Sequence, residues 1–186
     1  MRRFVTLVVF GASLATVSAG GGEEERAKVL GALGASRHTL ADGIRQAGKA
    51  PQAAISAKFE LDGKGGLSLS VYTVAKGLGT DAENNILKEL GGSPSGEQWT
   101  PKVEIFEDVR HVSRASQQLT LLALSRFSLL DILAKAEKRQ AGKAYAITPV
   151  LRDRRPVFVV LFASDGKSAE VDLDLLTGEP VRPTGE

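Results

Sequence analysis

The chain has 186 residues, 42% of them hydrophobic and 25% charged, with 20 Gly, 7 Pro and a formal net charge of +2. That balance excludes a disordered or collagen-like polymer and fits one globular domain or two small ones. The absence of Cys and the presence of only two His, His38 and His111, exclude disulfides, thiolate catalysis, a Cys-based zinc centre and a Cys-anchored lipoprotein, and leave little for a multi-His metal site.

Residues 1–19 read as a signal peptide. Arg2 and Arg3 form a positive start, residues 4–10 (FVTLVVF) with Leu14 form the apolar stretch, and Val17-Ser18-Ala19 supplies small residues at a cleavage site. The stretch is short for a bilayer span, and no later segment approaches 18 consecutive apolar residues, so the expectation is export without a stable membrane span. Removing Arg2 and Arg3 leaves 22 basic residues against 22 acidic ones. A neutral mature chain has no global electrostatic basis for binding nucleic acid.

Residues 20–35 read as a glycine leader and a short helix, with Glu23, Glu24 and Glu25 placed where a helix N-terminus favours negative charge. Thr39 with Asp42 has the spacing of a reciprocal cap, opening a second helix with Leu40 and Ile44 inward. Residues 53–61 and 67–74 read as strands, and Asp62-Gly63-Lys64-Gly65-Gly66 between them reads as a hairpin turn. Residues 81–90 fit a short helix, residues 91–96 a mobile polar loop, and residues 102–106 a further strand. Apolar residues near the helical period predict a long, well-buried helix over residues 107–125. Ser128 with Asp131 repeats the cap, opening a helix to about Arg139, and strands follow at 145–151, 157–163 and 169–175.

An internal repeat stands out. Arg45-Gln46-Ala47-Gly48-Lys49-Ala50 recurs identically as Arg139-Gln140-Ala141-Gly142-Lys143-Ala144, and residues 36–42 resemble residues 125–131. The two offsets differ by five residues, which a longer second helix would absorb. The expected fold is therefore α+β: two α-β-β-β units, each a helix on an antiparallel sheet, with an extra long helix between them sharing one core. The first unit spans 36–106 with an insertion at 77–101, and residues 107–186 hold the linking helix and the second unit.

The second unit carries a family likeness. Phe158-Val159-Val160-Leu161 leads across Asp165-Gly166 to Ala169-Glu170-Val171-Asp172-Leu173-Asp174 and then Thr177-Gly178-Glu179-Pro180-Val181. This strand, Asp-rich strand and closing Thr-Gly-Glu turn resemble the PepSY domain, an exported module also found in propeptides of thermolysin-type metallopeptidases. The resemblance covers about a third of the chain, and its motif is moderately specific. It implies a helix packed on an antiparallel sheet, an extracytoplasmic setting and the inhibition or regulation of peptidases, a role proposed for the family. It carries over no catalytic residues.

Candidate binding residues are few. Arg152, Arg154 and Arg155 beside Pro156 could clamp a carboxylate or phosphate at a hairpin tip, although exposed tips are usually charged. Glu170, Asp172 and Asp174 share one strand face and could attract a basic partner, although alternating charge is also what a half-wet strand shows. Trp99, the only Trp, reads first as an anchor in the core and second as a contact residue. His38 or His111 with Ser113 or Ser116 lies in no recognisable nucleophile motif, and no catalytic residue, metal ligand or cofactor site is assigned. The leading expectation is an exported non-enzymatic protein that binds or restrains a protein partner, a peptidase in the family's pattern. The alternative is a carrier of a small apolar ligand between helix and sheet, and a hydrolase stands third.

Overall fold

The computed structural model describes residues 22–181, so the expected leader at residues 1–19 lies outside the described residues. The element order is α1 (Glu23–Ala32), a short 3₁₀ turn (Leu33–Ala35), α2 (Leu40–Ala47), β1 (Ala53–Leu61), β2 (Leu67–Val74), β3 (Leu87–Gly92), β4 (Lys102–Ile105), α3 (Val109–Leu124), α4 (Leu129–Glu137), β5 (Lys143–Arg152), β6 (Arg155–Ser164) and β7 (Lys167–Asp174). The strands form one antiparallel sheet in the order β4-β3-β2-β1-β5-β6-β7. The fold is thus α+β, and the segments on either side of the long helix meet in a single sheet through the β1–β5 pair.

Local chemistry explains where the helices begin. Thr39 Oγ1 accepts from the Asp42 amide at 3.1 Å while Asp42 Oδ2 accepts from the Thr39 amide at 2.9 Å. Ser128 and Asp131 repeat this arrangement at 3.2 and 2.9 Å. Asp108 caps α3 by accepting from the amides of Arg110 and His111, both at 3.1 Å. Each device satisfies amide groups that have no partner within the helix.

Alternation along the strands sorts the side chains onto two faces. One face carries Phe59, Leu69, Val71, Ile147, Phe158, Val160, Phe162 and Leu173, all buried. Gly43 of α2 lies against it so closely that a Cβ there would meet Leu69 at 2.8 Å, and α4 packs beside α2. The opposite face carries Ser56, Lys58, Ser70, Tyr72 and Glu89 near the middle and one margin. α3 crosses this second face over β5, β1, β2 and β3, burying Ala115, Gln118, Leu119 and Leu122. At their junction the Ser56 hydroxyl donates to Gln118 Oε1 at 2.9 Å, both residues being buried. The helix is less enclosed than its sequence suggests, because Val109 and Leu124 at its two ends are 84% and 64% exposed.

The interval between β2 and α3 departs from expectation. Residues 81–90 do not form a helix: Asn84 and Asn85 bond locally in a turn, and Leu87–Gly92 is strand β3. The strand that follows β2 in the sheet is therefore β3, inside the expected insertion, and Lys102–Ile105 is an added margin strand beside it. Leu87 and Leu90 satisfied a helical spacing equally well, and β2 needed a partner along its free edge. Nor is the following loop loosely held. The Arg37 amide donates to Pro94 O at 2.9 Å, His38 Nε2 lies 3.0 Å from Gly96 O, and Gln46 Nε2 donates to Trp99 O at 2.7 Å.

The identical hexapeptides also fall differently from expectation. Arg45-Gln46-Ala47 forms the last turn of α2, whereas Arg139-Gln140-Ala141 lies beyond the end of α4. α4 has 9 residues and α2 has 8, so a longer helix does not account for the offset. Gly142 is held by its place, with φ of 115° and a would-be Cβ 2.5 Å from Ala163 O, whereas Gly48 has φ of −92°. The features found in both segments are a capping box and a β-bulge, the bulges lying between Ala54 and Ser56 in β1 and between Ala144 and Ala146 in β5.

The buried Ser56–Gln118 bond gives a direct test of how α3 is seated. Gln118→Ala strands the Ser56 hydroxyl and is expected to cost about 1–3 kcal/mol in urea unfolding. The double variant Ser56→Ala with Gln118→Met leaves no polar group stranded and is expected to cost less than Gln118→Ala alone.

Candidate functional site

Two polar clusters occupy the α3 face of the sheet, one toward each margin. The first joins residues singled out in the sequence. β5 ends in Arg152, and the turn at Asp153 and Arg154, with φ of 50° and 65°, reverses the chain into β6. Positive φ at both central residues is the geometry of a two-residue hairpin that matches strand twist. Arg152 then reaches across β6 to β7, where its Nη1 lies 2.5 Å from Asp172 Oδ2 and also bonds Glu170.

The pair is unevenly balanced. Burial pushes the Asp172 carboxyl above its ordinary range against the pull of Arg152, while the bond to Glu170 and the neighbouring carboxylates hold the guanidinium charge more firmly. Asp172 Oδ1 is buried and has no hydrogen-bond partner among the described residues. Val159 and Leu161 of β6 lie half-buried on the same face, and Glu170 beside them is exposed. The patch thus combines short apolar relief with one bridging cation and two carboxylates.

The other residues take separate positions. Arg154 and Arg155 are exposed and make no clamp with Arg152, which is committed to β7. Asp174, the last residue of β7, serves the turn that follows: its Oδ1 accepts from the Leu176 and Thr177 amides and the Thr177 hydroxyl, which holds its carboxyl below the usual range. Trp99 is 2% exposed, so it is no contact for a partner. Its indole donates to Gly92 O at 3.2 Å and ties the loop to β3.

The second cluster was not legible as a unit. Lys58 lies 2.5 Å from Glu60 and 5.9 Å from the centre of the Tyr72 ring. Glu89 sits beside Tyr72 in the ladder, and burial raises its carboxyl above the ordinary range while Ser70 opposes the shift. Burial, with Glu89 and Glu60 nearby, pushes the Tyr72 phenol up to about 12, against the influence of Arg114. His111 stacks on Phe106 with ring centres 5.1 Å apart, and its Nδ1 lies 2.5 Å from the capping carboxylate of Asp108. Ser68, Ser70 and Tyr72 alternate in the sequence as a wet strand would. The signal that could have found it was the spacing of Arg114 and Gln118, one turn apart on the helix that covers these residues.

Among the described residues the histidine rings bond elsewhere, His38 to Gly96 O and His111 to Asp108. Ser116 Oγ donates to Val112 O at 2.7 Å, Ser113 is exposed, and His38 turns toward Gly96. Among the described residues there is no group of three or more His, Cys, Asp or Glu able to hold a metal ion, and no helix long and apolar enough to cross a membrane.

Both clusters make testable statements about charge. Arg152→Met removes the only cation bonded to Asp172 among the described residues and is expected to destabilise by about 1–2 kcal/mol at neutral pH, short of the cost at a fully dry site. Adding Asp172→Asn should return most of that loss in denaturant unfolding. For Glu89, a folded pKa above the unfolded one means that its contribution is most favourable in acid and is lost as pH rises through the folded value. Glu89→Gln should therefore raise Tm at neutral pH relative to the parent and lose that advantage near pH 4, as read by thermal scans across pH.

No family model matches the chain, and no curated protein matches it. One solved structure that does align is that of a candidate lipoprotein from Clostridium difficile, at 14% identity and a TM-score of 0.36, over 69% of this chain and 79% of that one.

Proposed function

We propose that this chain is an exported, non-enzymatic binding protein built from two PepSY-like α-β-β-β units, which restrains an extracytoplasmic peptidase. The single observation that carries the binding reading is the β6–β7 margin of the sheet. There Arg152, Glu170 and Asp172 gather beside half-buried Val159 and Leu161. The outer edge of β7 from Lys167 to Val171 has no strand beside it among the described residues, whereas its other end is bonded to the Glu179 and Val181 backbone. An open ladder with charged side chains next to it suits an added strand, in which the backbone supplies affinity and the carboxylates select basic side chains.

The two-unit reading draws support from order and position. Each unit runs capped helix, bulged strand, hairpin strand, third strand. The paired residues Ala57 and Ile147 each lie two residues beyond their strand's bulged residue, the register that a two-fold relation between the units would give. The Thr-Gly-Glu turn of the second unit is tied to its helix through Glu179, which pairs with Arg139 at 3.1 Å and Lys135 at 3.8 Å. The first unit lacks that turn and ends in β4 instead. The close seating of Gly43 on Leu69 and Val71 favours partner binding over carriage of an apolar ligand between helix and sheet.

Affinity capture with the chain from Gly20 onward, applied to native envelope and secreted fractions, tests this reading. The expected result is a recovered peptidase whose activity falls in proportion to added protein. Glu170→Lys with Asp172→Asn should weaken that inhibition by about tenfold or more if the β7 carboxylates select the partner. Absence of any enriched peptidase, or activity indifferent to the added protein, removes the proposal.

A further inference from the structure

Strand β4 closes the other margin of the sheet and has an unused side. The Phe106 amide donates to Leu87 O at 3.0 Å, which fixes the phase of the β3–β4 ladder. Antiparallel alternation then turns the backbone groups of Lys102 and Glu104 toward β3 and those of Val103 and Ile105 outward. The side chains follow the same rule. Val103 and Ile105, 60% and 57% exposed, share a face with half-buried Leu90, while Lys102 and Glu104 share the opposite face.

We propose that β4 pairs antiparallel with β4 of a second copy of this chain, about a two-fold axis through Val103. Val103 then meets Val103 of the second copy as a hydrogen-bonded pair, using backbone groups that have no strand partner among the described residues. In the flanking positions Lys102 comes opposite Glu104 of the other copy, in the close non-bonded pairing where Cα atoms approach to about 4.5 Å. Symmetry makes two such opposite-charge pairs. The neighbouring register, Val103 against Ile105, sets Glu104 against Glu104 at the axis and is repelled. The strand is thus charge-complementary to itself in one register. A two-fold contact of this kind closes on itself and uses up the β4 edge of both copies. Val103, Ile105 and Leu90 of both copies add an apolar strip along the joint. This margin lies at the opposite end of the sheet from β7, and the inference does not rest on the peptidase reading.

Sedimentation equilibrium of the chain from Gly20 onward, across the micromolar range, tests it. The parent should dimerise, more weakly in high salt. Lys102→Glu or Glu104→Lys alone should weaken the dimer by about tenfold, because each puts like charges opposite at two symmetric places. The charge swap that combines both should restore it. Val103→Pro removes the outward amide without touching the β3 ladder and should abolish pairing, with circular dichroism reporting an unchanged fold. A chain that stays monomeric, a dimer indifferent to the single charge changes, or a swap that fails to restore pairing overturns the proposal.

Discussion

The antiparallel contact between β1 and β5 is the constraint on which the rest of this molecule depends. It is short, with Ala57 paired to Ile147 and Lys58 to Ala146, yet it turns two sets of strands into one seven-stranded sheet. Separate three- or four-stranded sheets would each expose one further ladder edge and could bury little core beneath one helix of 8 or 9 residues. Joining them sets α2 beside α4 on one face and leaves the other face wide enough for α3 to lie across the junction.

The two faces then develop different chemistry. Beneath α2 and α4 the sheet is apolar and tightly filled, with Phe158, Phe162, Leu69 and Leu173 fully buried. Beneath α3 it is polar. Ser56 and Gln118 bond in the dry centre, and Tyr72 and Glu89 lie shielded nearby. Toward β7, Asp172 remains half-buried against Arg152. Groups of this kind are costly unless paired, so they fix how α3 and the hairpin arms sit rather than adding much net stability. The titration of Asp172 and Glu89 departs from ordinary values because the sheet and the covering side chains withdraw water from them.

Function is proposed at the margins because the centre is occupied. At one side the described residues after β7 bond only part of that strand, leaving backbone groups next to the Glu170 and Asp172 carboxylates. At the other side β4 is short, and Lys102 and Glu104 alternate along it with exposed Val103 and Ile105. Short length and charge usually guard a sheet edge against indiscriminate association. The same features can permit one register while rejecting others.

Much of the fold was legible in local patterns. Thr39 with Asp42 and Ser128 with Asp131 announced two helix starts, and the alternation of 67–74 and 169–175 announced strands, because capping and pleat act over a few residues. The Thr-Gly-Glu turn was equally local, with Gly178 at a φ of 67°. What the sequence could not decide was partnership. Leu87 and Leu90 fit a helix as well as a strand until β2 offered a free edge, and the two RQAGKA copies, identical in sequence, fell on different elements. Of the candidate site, Arg152, Glu170 and Asp172 were visible as charged residues, but their meeting required β5, β6 and β7 to align in register. The sequence by itself determined the caps, the turns and most strands, since those depend on neighbours along the chain. Only the tertiary structure decided the single sheet, the side on which α3 lies and which charges touch, because these depend on residues about 20 to 90 positions apart competing for the same surface.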